Sequence, residues 1–311
     1  MRFARVLLAI LLAAGLFGAL RSNVASQDQE ENTRGAFMTS RAKTPEKPAR
    51  TSSTARPNRR RPKPSGATSG NTKPVSNENT ASNTSGSKSE TTDAGKSVPA
   101  ASTRIGLGMT LFMRDPNGLA VRIDPAHEFH KGDAVRVLLE TNADGHLYIF
   151  NTTDGGDPVM IYPDSQLDEA GNYLQAHVPV EIPSSLTTQE RLRWFRFDEK
   201  AGSERLMFVL TREPLQGVPI EDELIKFCGE NKVGCAWRPS TELWARLQKE
   251  LNESPQGVKA MDSGAAQTPR EREATTRGIG LSKDDPPPTL VLMSTSAGSA
   301  ILVTALDLIH K

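Results

Sequence analysis

From about Arg104 onward the chain is a series of short apolar runs separated by turn clusters. The runs "GMTLFMR", "LAVRI", "AVRVLLET", "HLYIFNT", "PVMIYP", "YLQAHVPVEI", "RWFRF" and "RLMFVLTR" have strand length. Between them stand "DPNG", "NADG", "DGGDP", "PDS" and "EKAG", whose residues favour chain reversal for backbone reasons. In "AVRVLLE", Val135, Val137 and Leu139 share one face of a period-two strand. Strands so short and closely spaced, with no long helix between them, predict a mainly β fold, an antiparallel β-sandwich. The stretch Gly132 to Gly155 reads as two strands around "NADG", a β-hairpin.

The period then changes. In "PIEDELIKFC", Pro219 suits a first helical position, three acids favour the positive helix end, and Ile220, Leu224, Phe227 and Cys228 form one stripe. In "STELWARLQKEL", Ser240 is an N-cap candidate ahead of a Leu243, Trp244, Leu247 and Leu251 stripe. Residues 218–252 are therefore expected to form a small helical hairpin packed on the sheet. Residues 253–288 turn polar and read as a flexible surface loop. The closing "TLVLMSTSAGSAILVTALDLIHK" reads as two strands that pair back into the sheet, so the folded domain spans residues 104–311.

The N-terminal third differs. Arg2 and Arg5 precede an apolar run of about fifteen residues, Val6 to Leu20, with Val24 and Ser26 at the small-residue places of a cleavage site. That is the pattern of a signal peptide over residues 1–26, cleaved between Ser26 and Gln27, the run being short for a span of roughly 20 residues. The alternative is an uncleaved helix serving as an inner-membrane anchor. Residues 27–103 are rich in Ser, Thr, Asn, Pro, Lys and Arg and almost devoid of aliphatic residues, which predicts a disordered basic linker. Ten of its Lys and Arg residues lie between Arg41 and Pro74 against the single Glu46. In an exported chain such a run suits an anionic envelope polymer or a membrane surface better than nucleic acid, or serves as a soluble spacer.

Composition narrows the function. A mean hydropathy of −0.46 and 36% hydrophobic residues fit a chain folded in part, and a net charge of +1 favours neither sign of partner. Cys228 and Cys235 are the only cysteines, and an oxidising compartment predicts a disulfide closing "CGENKVGC". There is no Gly-rich phosphate loop, G-x-S-x-G, H-E-x-x-H or C-x-x-C. His127 and His130 could share a helical face, yet two histidines without further ligands are a weak zinc signal. Asp154 and Asp157 in "NTTDGGDP" could offer oxygens to calcium without the full ligand spacing of an EF-hand. No metal, cofactor or catalytic residue is assigned on these grounds.

Taken in order, "FHKGDAVRVLLETNADGHLYIF", "PVMIYPD", "VEIP", "WFRFDEKAGSERLMFVLTREPL" and the closing "ILVTALDLIH" resemble a family of secreted bacterial domains, domain of unknown function 4384. His146 departs from it, standing where an aromatic often precedes the Leu-Tyr pair. The resemblance implies a β-rich, non-catalytic module and carries over no catalytic residue. The combined expectation is a periplasmic or secreted binding or adaptor module of the cell envelope, held on the basic linker, with an envelope protein or anionic polymer as partner. An extracytoplasmic hydrolase with a dispersed carboxylate site, or a purely structural envelope protein, is the alternative.

Overall fold

Alternate residues of the strands enter one apolar core, and two sheets close over it. The structure, a computed structural model, describes residues 32–42, 104–165, 171–231, 235–253, 258–259 and 263–311. One sheet runs β11 (Val258–Lys259), β12 (Leu290–Met293), β1 (Gly106–Arg114), β4 (Ala134–Thr141) and β8 (Val180–Ile182), with β2 (Ala120–Arg122) beside β1 and β9 (Phe195–Arg196) beside β4. The other runs β3 (Glu128–Phe129), β13 (Ile301–His310), β10 (Gly202–Thr211), β5 (Gly145–Thr153) and β6 (Val159–Tyr162), with β7 (Tyr173–Leu174) beside β5. Each of these pairings is antiparallel except that of β13 with β3. Val135, Val137 and Leu139 meet Leu147, Ile149, Leu206 and Phe208 between the sheets, as their alternation predicts. The mainly β sandwich is thus present.

Two expected connections differ. Gly132 to Gly155 is no hairpin, because β4 pairs with β1 and β8 while β5 pairs with β10 and β6. "NADG" therefore carries the chain from one sheet to the other; alternation assigns a face to each residue but does not choose the neighbouring strand. Similarly, β12 and β13 are both strands, but they lie in different sheets.

The second sheet's outer face is apolar and is covered by α2 (Glu221–Glu230) and α3 (Thr241–Glu253). Leu224, Leu243 and Leu247 pack on Tyr148, Phe150, Met207 and Val209, with Phe227, Trp244 and Leu251 at the margin. The predicted hairpin helices are present, and Ser240 Oγ accepts from the Leu243 amide at 3.2 Å. Pro219 lies outside α2, whose N-cap is Ile220. Cys228 and Cys235 are disulfide-bonded with Cα atoms 4.7 Å apart, joining α2 to the segment before α3.

The first sheet's outer face is charged, and two segments expected to be loose cover it. Residues 32–39 form α1, with residues 40–42 following it onto the sheet, inside what reads as disordered linker. Phe37 is fully buried against Val291 and Met293. It reaches the β1 backbone because positions 106 and 108 are glycine; a Cβ on Gly108 would lie 3.0 Å from the Phe37 ring and 2.4 Å from Pro288. Arg41 then makes a bidentate bond to Glu140 of β4, at 2.8 and 2.5 Å. The second segment is α4 (Pro269–Arg277), within the expected flexible loop. Thr268 and Glu271 form a reciprocal capping box, Pro269 stands at the start, and Gly278 closes the helix at φ 62°. Glu271 is buried on Arg122, whose guanidinium lies 5.4 Å from the Phe112 ring centre. The rest of the linker and the signal segment lie outside the described residues.

Removing one member of a buried ion pair leaves the other uncompensated, which costs about 3–5 kcal/mol. Arg41→Met is therefore expected to lower the unfolding free energy measured by urea titration by that order, and Arg41→Met/Glu140→Leu to recover part of it. Replacing both cysteines by serine should remove roughly 2–3 kcal/mol of loop-closure stabilisation, read as a fall in Tm equal to that produced by reducing the native chain.

Candidate functional site

At the end of the sandwich where β4 begins and β13 ends, the two sheets part around a cavity of about 330 Å³. Core positions of four strands, Val135, Ile161, Leu206 and Leu308, form its floor, with Phe195 and Phe197 as a wall. Phe197 is fixed between Phe129, stacked at 4.6 Å, and the His310 ring at 5.0 Å. Polar groups line the other side: Asn151, Asp154, Glu204 and His310, with Arg196, Asp198 and Lys200 at the mouth.

Local geometry holds each of them. Asp154 and Gly155 both have positive φ, 51° and 71°, and the Gly156 amide donates to Thr153 O at 2.9 Å. That is a tight turn with both central residues at positive φ, opening the connection from β5 to β6, and Asp-Gly is a favoured pair for it. The Asp154 carboxylate lies against Gly202, where a Cβ would stand 2.8 Å from Oδ1, and accepts from the Ser203 amide at 2.9 Å. That bond, with Lys200 adding attraction against the opposing effect of desolvation, holds the Asp154 carboxyl below its ordinary pKa. Glu204 accepts from Asn151 Nδ2 and Thr153 Oγ1, each at 2.8 Å. This orients the Asn151 amide and leaves its Oδ1 buried without a protein partner. His310, 5% exposed, has a buried Nδ1 likewise without a protein partner.

The residues singled out by sequence fall elsewhere or do other work. Asp157 pairs with Arg238 at 2.7 Å, so Asp154 and Asp157 do not converge on one point. His127 packs edge-on against Phe129 at 5.1 Å, and the His130 amide donates to Asp133. His146 Nδ1 lies 3.1 Å from Asn172 Oδ1. Among the described residues no three His, Cys, Asp or Glu side chains form a metal-holding group.

A second cluster has the contact order of a nucleophile, base and acid. His177 Nε2 is 2.9 Å from Ser40 Oγ, and Nδ1 is 2.7 Å from Glu140 Oε1. Three observations make it a clamp. Glu140 already receives the Arg41 fork. The single Ser40 hydroxyl proton has a second acceptor, Phe37 O at 2.6 Å. The cavity beside Arg41 and Glu140 is about 10 Å³, too small for a substrate.

Residues 128–214 match the family model described as domain of unknown function (DUF4384). The resemblance read from the sequence is thus shown over β3 to β10. No curated protein and no solved structure matches the chain. The DUF4384 segment supplies most of the cavity, including Asn151, Asp154, Phe197 and Glu204, while Leu308 and His310 come from β13 beyond it. It likewise supplies Glu140 and His177, but Arg41 lies outside. The cavity itself was not legible in sequence: its walls come from strands distant along the chain, and each residue alone is ordinary strand or turn.

The two buried histidines should respond differently to substitution. His177→Leu breaks both ring bonds and leaves Glu140 short of a donor, an expected loss of about 1–3 kcal/mol. His310→Leu removes a ring nitrogen that bonds nothing in the protein and should change stability little. Urea unfolding of both variants checks the contrast; equal losses would make His310 a structural residue.

Proposed function

We propose that the chain is an exported, non-catalytic binding module of the bacterial cell envelope whose ligand enters the cavity between its sheets. The observation that carries this reading is the cavity: an apolar floor and wall with a few convergent polar groups, the usual make-up of a small-molecule site. Export is supported by the apolar run after Arg5 and by the disulfide. Among the described residues no helix is long and apolar enough to cross a membrane. The basic residues after Arg41 suit an anionic polymer of the envelope as a second partner.

The runner-up is an extracytoplasmic hydrolase, favoured by one observation: Asp154, Glu204 and His310 line the same cavity. Chromogenic ester and glycoside substrates distinguish the two, since a hydrolase turns one over and loses that rate in Asp154→Asn. For the binding reading, single-ring fragments are expected to raise the Tm of the intact chain. Ile161→Trp, which fills the cavity from its floor, should abolish the shift while leaving the fold's circular dichroism unchanged. Shifts that persist in Ile161→Trp would place binding elsewhere.

A further inference from the structure

We infer that the cavity between the sheets takes a small amphipathic amine, its ammonium group held by Glu204 and Asn151 and its apolar body lying against Phe195, Phe197 and Leu308. This rests on the binding function proposed above and adds the chemical class of the ligand. The cations of the lining are confined to the exposed level, which they share with Asp154 and Asp198. Arg196 and Lys200, the cations, stand exposed at the mouth, and Lys200 Nζ is 3.7 Å from Asp154. Charges so exposed are screened by solvent and salt. Deeper, the groups are half-buried Glu204, half-buried Asn151 and buried His310.

Those deeper groups have acceptors to spare. The Asn151 amide donates to Glu204, so the atom it leaves free, Oδ1, can only accept. Glu204, when ionised, accepts only. His310 Nδ1 is unpartnered and becomes a third acceptor when the ring proton sits on Nε2. An ammonium group carries three donors and no acceptor, which matches this set. A carboxylate or phosphate would meet Glu204 and Oδ1, neither of which donates, and would find a donor at that depth only in His310 with its ring proton on Nδ1. The apolar floor and the Phe195–Phe197 wall require that the amine carry a hydrocarbon body of about one ring.

The test is a matched set on the intact chain: 2-phenylethylammonium, 2-phenylethanol and phenylacetate, one ring with a cationic, a neutral or an anionic head. Affinity is measured by calorimetry, and location by the imidazole NMR signals of His310, assigned with His310→Leu. The cation is expected to bind about tenfold or more tightly than either of the others. It should shift His310 and lose that preference in Glu204→Gln, which keeps the side chain's size and its ability to accept from Asn151 and Thr153. Equal binding of the alcohol or the acid, with His310 shifted, overturns the ligand class and leaves the binding function standing. If no member of the set moves His310, both are overturned. The comparison among heads is made in the native protein, so it holds even should Glu204→Gln fail to fold.

Discussion

Glu140 sits on the outer face of β4, buried to 2% exposure; two stretches of chain converge on its charge and a third joins them through Arg41. Arg41 arrives from 99 positions upstream and places its fork on both carboxylate oxygens. Its remaining donors go to the carbonyls of Ser282, Asp285 and Pro286, which draws the segment after α4 over the sheet. His177 comes from the loop before β8, and its other nitrogen reaches back to Ser40. A buried ion pair is no general source of stability against an apolar substitute. Once the carboxylate is there, however, each partner is needed, and the coverage of this whole face follows.

The two outer faces solve the same problem with opposite chemistry. On the second sheet, leucines of α2 and α3 remove Tyr148 and Phe150 from water by area alone. On the first, Arg136 stacks 4.0 Å from Trp194 and bonds Glu181 at 3.0 Å, while Arg122 meets Glu271. Burial lowers the Arg136 pKa, and Glu181 pulls it back. Both faces are closed in this way, and the sheets open to the outside through the end where β13 terminates at His310. The cavity thus shares its floor, Val135, Leu206 and Leu308, with the core that holds the sheets together.

What was legible in the sequence follows from range. Alternation and turn residues gave the strands and the core positions Val135, Val137 and Leu139, and helical stripes gave α2 and α3, because each is a pattern over a few residues. The segment 32–42 was hidden because its docking depends on two glycines in β1 and a glutamate in β4, with only Phe37 to mark it. α4 is polar throughout and shows no stripe, although Thr268, Pro269, Glu271 and Gly278 spell out its start and stop. The cavity was hidden for the same reason as the path through "NADG": which strands become neighbours is decided by contacts that no short window contains.

Because Ala42 and Arg104 both belong to the folded unit, the basic stretch between them is a loop fastened at each end and not a leash. A single protease cut within it would leave two polypeptides still joined through Phe37 and Arg41, so a nicked chain and an intact one would differ on a denaturing gel and not in their fold. An anchor at the N-terminus would then hold the sandwich at the length of the few residues before α1, at most about 3.5 Å each.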